Sequence, residues 1–143
     1  KELGGLRLSA SQDLRPIVIM TSNSEKNLPE AFLRRCVFLH IPFPIDKLKD
    51  IVGKHLEENS PYVNQSLIDH FIEIRSQVKK KKPSTAELIG WLRMLEIENF
   101  LDDDVDLKNL TDKQKKLLRY SYSVLAKDKE DLKILVDRYK LGS

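Results

Sequence analysis

The stretch that decides the fold runs from residue 16 to residue 44 and reads PIVIMTSNSEKNLPEAFLRRCVFLHIPFP. It begins with an apolar run, residues 16–20, typical of a parallel-sheet strand that is buried on both faces. A second apolar run, residues 36–41, predicts another strand that stops at Pro42, because proline cannot continue a strand ladder. Between the two runs, Pro29 is expected to open a short helix that ends at Arg35. Strand, helix and strand together predict the end of a βαβ-type sheet, and its other strands must come from elsewhere, since two strands are not stable alone.

Beyond Pro44 the apolar residues recur at the spacing of amphipathic helices. Two helix starts are marked by capping boxes, Ser84 with Glu87 and Thr111 with Gln114, and Trp91 is expected in the core of the bundle. We therefore predict a chain that is predominantly α overall. Residues 1–44 would form the carboxyl-terminal part of an α/β core. This α/β remnant would consist of two strands and a connecting helix. Residues 45–143 would form a helical domain. The stripes that carry this prediction are Leu48, Ile51, Val52 and Leu56; Leu67, Phe71, Ile74 and Val78; Leu88, Trp91, Leu92 and Leu95; Leu117, Leu118, Val124 and Leu125; and Leu132, Leu135, Val136 and Tyr139.

The composition is that of a globular protein with a heavily charged surface. Of the 143 residues, 41% are hydrophobic and 33% are charged, which excludes a disordered tail. No apolar run approaches the ~20 residues that a membrane helix needs, so no membrane association is expected. A single cysteine, Cys36, excludes an internal disulfide and fits a reducing, cytoplasmic setting. A net charge of only +3 does not favour nucleic acid as a partner.

Polar and basic residues follow the first predicted strand and the predicted helix. Thr21, Ser22 and Asn23 lie at the carboxyl end of the strand, where open α/β sheets bind their ligands. The alternative is that they only form a strand-ending turn. Arg34 and Arg35 end the helix, and a guanidinium can stabilise charge on a transferring phosphoryl group. The alternative is a solvated surface pair, or an arginine that interacts with the helix dipole.

Taken together, residues 16–44 resemble the AAA+ ATPases of the MoxR-like group, in which a sensor 1 strand, an L-P-x-A-x-x-x-R helix and a further core strand precede a helical lid. The likeness extends over about residues 16–135 and includes residues 82–92 and 123–132. By this resemblance Asn23 is the sensor 1 residue, which orients the attacking water. Arg35 is the arginine finger, which reaches a neighbouring subunit's nucleotide, and Arg34 is the adjacent candidate. Thr21 and Asn23 would contact the nucleotide.

The resemblance also implies partners and cofactors for the whole protein. ATP and Mg²⁺ would bind between the α/β core and the lid, and the subunits would form a ring, usually a hexamer. Relatives of this kind mostly remodel or mature other proteins, so a chaperone-like role is expected, although nothing in the residues names the client protein.

Two departures from the family pattern limit what this chain can do by itself. Ala86 stands where many relatives carry a sensor 2 arginine, which leaves Lys82 or Arg93 as replacements. There is no G-x-x-x-x-G-K-[ST] loop and no apolar strand ending in an Asp-Glu pair, so phosphates and a metal ion lack a cradle. We therefore expect the chain alone to be inactive. The alternative function is a stand-alone helical protein-interaction module without a nucleotide role.

Other charged and reactive residues have structural explanations. Residues 79–82 form a lysine run before Pro83, which is typical of a solvated helix end. The aspartate-rich residues 102–106 lack the glycine and the glutamate of a calcium loop and are expected to form a solvated loop. The three histidines have no metal-binding spacing, and Cys36 is expected in the core rather than as a nucleophile. No metal site is predicted.

Overall fold

Helices dominate the part of the chain that the structure describes, which confirms the prediction of a predominantly α protein. The computed structural model describes residues 17–22, 28–57, 59–101, 107 and 109–141. The chain divides into two units, Lys1–His40 and Ile41–Ser143. The helices are α1 (Glu30–Leu33), α2 (Leu48–His55, preceded by a 3-10 turn at Ile45–Lys47), α3 (Gln65–Gln77), α4 (Thr85–Ile97), α5 (Asp112–Leu125) and α6 (Lys129–Arg138).

The two predicted strands of the first segment are not seen. Residues 17–20 and residues 36–41 form neither helix nor strand, and Pro16 lies outside the described residues. The large apolar side chains of both runs are between 59% and 101% exposed, so the burial typical of a central strand is not seen in the described residues of the first run. The physical reason is that a strand exists only when its backbone is paired with a neighbouring strand. The short helix between the runs is confirmed as α1, with Pro29 at its N-cap.

Helices α3, α4, α5 and α6 begin where a side chain caps free N–H groups, whereas α2 begins without a side-chain cap. Both predicted capping boxes are present, Ser84 with Glu87 at α4 and Thr111 with Gln114 at α5. The Asn64 carboxamide accepts the N–H of Ser66 at α3, and the Asp128 carboxylate accepts two N–H groups at α6. Each cap satisfies donors that the first helical turn leaves without partners.

Two helices end with a residue in the left-handed conformation. Asn99 after α4 and Lys140 after α6 have φ angles of 53° and 50°. In each case the next residue donates its N–H back to a carbonyl five residues earlier, Phe100 to Leu95 and Leu141 to Val136. This is the Schellman arrangement, which turns the chain and buries the residue after the turn. Phe100 and Leu141 are accordingly buried.

The core of the second unit lies between α4 and α5, which pack against each other, with α2, α3 and α6 around them. Trp91 is fully buried there, as predicted. Its indole Nε1–H donates to the Ser121 hydroxyl at 2.8 Å, so the buried polar group of the ring has a partner. Ser121 in turn donates to the Leu118 carbonyl at 2.7 Å. The hydrogen bond therefore ties α4 to α5 inside an apolar core.

Candidate functional site

Both predicted phosphate-binding arginines lie at the exposed end of α1. The Arg34 Nη2 lies 3.3 Å from the Glu30 Oε2, one helical turn away, and both side chains are exposed. Such an exposed pair contributes only about 0.3–0.5 kcal/mol. The Arg35 Nη1 donates to the Ala31 carbonyl at 2.7 Å, which satisfies a carbonyl that the helix end leaves free. Both side chains thus extend from the turn that follows α1, and both residues are exposed.

The remaining predicted site residues lie in the polar segment after residues 17–20. Thr21 is exposed, and no hydrogen bond links its side chain to either arginine within the described residues. Asn23, the predicted sensor 1 residue, lies outside the described residues, so its prediction stays untested. The structure therefore places Thr21, Arg34 and Arg35 on exposed segments of the same unit.

The position of the missing sensor 2 arginine lies in the first turn of α4. The Ala86 N–H donates to the Ser84 hydroxyl at 3.2 Å, and the Glu87 carboxylate accepts the Ser84 N–H at 2.9 Å. The Ser84 hydroxyl also donates to the Glu87 carboxylate, and these bonds hold the pKa of that carboxyl below its usual value. The start of α4 therefore satisfies its own donors, and Ala86 offers no side chain for a phosphate.

Of the two proposed replacements for sensor 2, Arg93 has a defined contact. Its Nη2 donates to the His55 carbonyl at 3.0 Å, which joins α4 to the end of α2. The Lys82 side chain is exposed, before the start of α4. These observations do not involve a nucleotide, so Arg93 and Lys82 remain candidates for the role of the sensor 2 arginine.

Arg75 on α3 forms a junction that the sequence reasoning missed. Its guanidinium carbon lies 3.7 Å from the centre of the Phe43 ring, and its Nη1 donates to the Pro83 carbonyl. Burial lowers the pKa of Arg75, and the nearby Glu87 carboxylate opposes that change. The cation–π contact and the hydrogen bond join the segment before α2 to the residue just before the α4 cap. Because Phe43 and Arg75 lie far apart in sequence, no local pattern could have indicated the contact.

The lysine run of residues 79–82 joins α3 to α6 rather than forming a purely solvated end. The backbone N–H groups of Lys79 and Lys80 donate to the buried Asp131 carboxylate at 3.1 and 3.2 Å. The Lys80 Nζ lies 2.8 Å from the Asp128 carboxylate and 3.3 Å from that of Glu130. These pairs raise the pKa of the Lys80 amine. Its amine is therefore paired with two carboxylates at the protein surface.

His70 on α3 lies in an aromatic cluster with a polar interior. Its Nε2 lies 2.7 Å from the Tyr122 hydroxyl, and its ring centre is 4.7 Å from that of Tyr139 and 6.1 Å from that of Trp91. Burial lowers the pKa of His70 to about 4, although the Glu73 carboxylate acts in the opposite direction. Burial also raises the pKa of Tyr139 to about 12 and that of Tyr122 further. Burial therefore favours the neutral form of His70 near pH 7, and of the packing and surface roles expected for the histidines, His70 has the packing role.

Comparison with known proteins adds no assignment to these residues. No family model, no curated protein and no solved structure matches the chain. Over the part of the chain that the structure describes, no three His, Cys, Asp or Glu side chains are grouped so that they could hold a metal ion. Over the same residues, no helix is long and apolar enough to cross a membrane.

Proposed function

We propose that this chain is the carboxyl-terminal part of an AAA+ ATPase of the MoxR-like group, with one edge of the nucleotide site and the helical lid. The observation that supports the proposal most strongly is the exposure of the two apolar runs of the predicted core. Eight large apolar side chains are 59% or more exposed there: Ile17, Val18, Ile19, Met20, Val37, Phe38, Leu39 and Ile41.

The energy involved is large on the scale of protein stability. Full burial of one such side chain contributes about 1.5–3 kcal/mol, so full burial of all eight would contribute roughly 12–24 kcal/mol. A typical domain is stable by only about 5–15 kcal/mol in total. Exposed apolar surface on this scale marks an interaction site. Further strands of an α/β sheet, packed against both runs, would cover it.

In the parent protein the exposed arginines would act on the nucleotide of a neighbouring subunit. The Arg35 bond to Ala31 uses one of the five donors of its guanidinium, and the others can fork onto phosphate oxygens. Asn23 would orient the attacking water, with Thr21 beside it at the end of the strand. The chain has neither a phosphate-binding loop nor an Asp-Glu strand, so its own residues do not form the sites of the phosphates and of Mg²⁺.

The parent would assemble as a ring, and its turnover would drive remodelling or maturation of a partner protein. The helical unit, Ile41–Ser143, would serve as the lid, and Arg75 would connect the segment around Phe43 to the start of α4. The chemistry would then consist of positioning and charge stabilisation, which is the main contribution of proteins to phosphoryl transfer.

The first experiment is to read the gene upstream of Lys1. A phosphate-binding loop and an Asp-Glu strand within about 150 residues, the length of a complete nucleotide domain, support the ATPase. An upstream frame that encodes neither feature refutes it. A longer polypeptide that carries both should bind a fluorescent ATP analogue, whereas the 143-residue chain should not.

One observation favours a second function, a stand-alone helical interaction module. The helical unit has a core of its own, with Trp91, Phe71 and Tyr122 fully buried. Under this alternative the helical unit would bind a partner protein, and the two apolar runs would have only a structural role. The same upstream sequence decides between the two functions, because only the ATPase requires the phosphate-binding loop.

A further inference from the structure

One face of α5 and the turn after α6 form an open groove of about 650 Å³. The α5 residues that line it are Asp112, Lys115, Lys116, Arg119 and Tyr120, spaced at i, i+3, i+4, i+7 and i+8. Residues at this spacing share one face of a helix. Lys140 adds a further amine from the turn after α6. The groove is thus lined mainly by cations.

The charge of the groove equals the formal net charge of the chain. Four lining residues are cationic and one is anionic, which makes +3, and the whole chain has 25 Lys and Arg against 22 Asp and Glu, also +3. The cations and anions outside the groove therefore balance. Within the described residues, the one ion pair of the groove is a weak contact of 3.9 Å between the Lys115 amine and Asp112. The positive charge of Lys116, Arg119 and Lys140 is not neutralised by any described residue.

Lys140 enters the groove from a turn with an unusual backbone conformation. It lies at the left-handed position of the Schellman turn, with φ of 50°, where glycine is the preferred residue. A side chain there is less favourable than glycine, because its Cβ crowds the backbone. The strained position is the one that carries the amine into the groove.

We propose that this groove binds an acidic segment of a partner protein in an extended conformation. The α5 face from Asp112 to Tyr120 is about 12 Å long, at about 1.5 Å per residue, which matches about four residues of an extended peptide. Alternate side chains of that peptide lie about 7 Å apart on one face, close to the spacing of about 5–6 Å between cations on a helix. Carboxylates on alternate residues can therefore meet Lys116 and Arg119.

The lining residues favour an acidic peptide over a nucleic acid. Single-stranded nucleic acids bind grooves that combine a continuous positive track with several stacking aromatic rings. Here Tyr120, which is 60% exposed, is the one aromatic side chain of the lining, and the Asp112 carboxylate interrupts the track at one end. A peptide tolerates both features, because its neutral residues can lie beside Asp112. This binding needs only the helical unit and does not depend on the ATPase proposal.

The test measures binding of a fluorescein-labelled peptide of about eight alternating Glu and Ser residues to the 143-residue chain by fluorescence anisotropy. The variant Lys116→Glu/Arg119→Glu reverses two groove charges. The matched control, Lys49→Glu/Lys54→Glu, reverses two exposed charges on α2. We expect the groove variant to weaken binding about tenfold or more and the control to change it less than about twofold. Lys140→Gly should weaken binding in the same direction.

Salt and competitor experiments complete the test. Raising the salt from about 50 to about 500 mM should weaken wild-type binding, since the contacts are exposed charges. Equal weakening by the groove variant and the α2 control would overturn the proposal, because the attraction would then be unspecific. Tighter wild-type binding of a single-stranded oligonucleotide of equal charge, lost in the groove variant, would also overturn it in favour of nucleic acid. Unchanged fluorescence of the buried Trp91 would show that each variant is folded.

Discussion

Acidification is expected to destabilise the helical unit through His70. The folded environment lowers the pKa of this ring to about 4, whereas its ordinary value is 6.5. Between these values the unfolded chain binds a proton that the folded chain does not. The contribution of His70 is therefore fully present above pH 6.5 and is lost progressively as the pH falls from there to about 4.

The size of the effect follows from the two pKa values. Each unit of pKa difference corresponds to about 1.4 kcal/mol, so the complete loss is about 3 kcal/mol. Between about pH 7 and about pH 4.5 the free energy of unfolding should fall by about 2 kcal/mol because of His70 alone. The groups around the ring explain the direction: Tyr122, Tyr139 and Trp91 surround it with aromatic surface, and Glu73 offsets only part of the burial.

Urea unfolding at the two pH values measures this loss, with Trp91, the single tryptophan of the chain, as the fluorescent probe. The variant His70→Gln can still hydrogen-bond to Tyr122 but does not titrate. Carboxylates titrate in both proteins, so the difference between wild type and variant isolates His70. We expect the wild type to lose about 2 kcal/mol more than the variant. An equal loss in both proteins, or a folded-state NMR titration of His70 centred near 6.5, would refute the reasoning.

Three further substitutions test the packing. Ser121→Ala should lower the free energy of unfolding by about 1–3 kcal/mol, because the buried Trp91 indole N–H loses its acceptor. The control Ser123→Ala, on the exposed face of α5, should change it by less than about 0.5 kcal/mol. Equal effects of the two substitutions in urea unfolding would contradict the role of the buried hydrogen bond. Gly90→Ala in α4 should raise the free energy of unfolding by about 0.5–1 kcal/mol, since the added Cβ would lie 3.8 Å from Val124, an ordinary contact distance. A lower melting temperature would instead show a steric clash. Lys140→Gly should raise the free energy of unfolding by about 1 kcal/mol, because glycine adopts the left-handed conformation without strain. A lower free energy of unfolding in the same assay would mean that the contacts of the Lys140 side chain stabilise the fold by more than the backbone strain destabilises it.

Features that depend on neighbouring residues could be predicted from the sequence. The capping boxes at Ser84 and Thr111 need only four consecutive residues, and both were confirmed. The apolar stripes follow from helical spacing, and all their residues except Ile51 belong to the core or pack against it. The burial of Trp91 followed from its stripe in the same way. Patterns of neighbouring residues therefore predicted the helices of the second unit and the residues that they bury.

Features that depend on distant parts of the chain could not be predicted. The runs at residues 17–20 and 36–41 have strand-like composition, but a strand also needs a paired neighbour, and these residues form no strand. The contact of Phe43 with Arg75, the pairing of His70 with Tyr122 and the approach of Lys140 to α5 all join separate elements. Of the predicted site, the structure describes Thr21, Arg34 and Arg35 as exposed, and their roles stay predictions.

The central claim is that Arg35 belongs to the nucleotide site of an ATPase, and steady-state ATP turnover of the parent protein tests it most directly. Arg35→Ala should reduce turnover by about 10³-fold, the scale of an arginine finger, while binding of a fluorescent ATP analogue persists. Lys54→Ala, an exposed charge on α2, is the control and should leave turnover unchanged. Turnover of Arg35→Ala equal to that of the wild type would contradict the account.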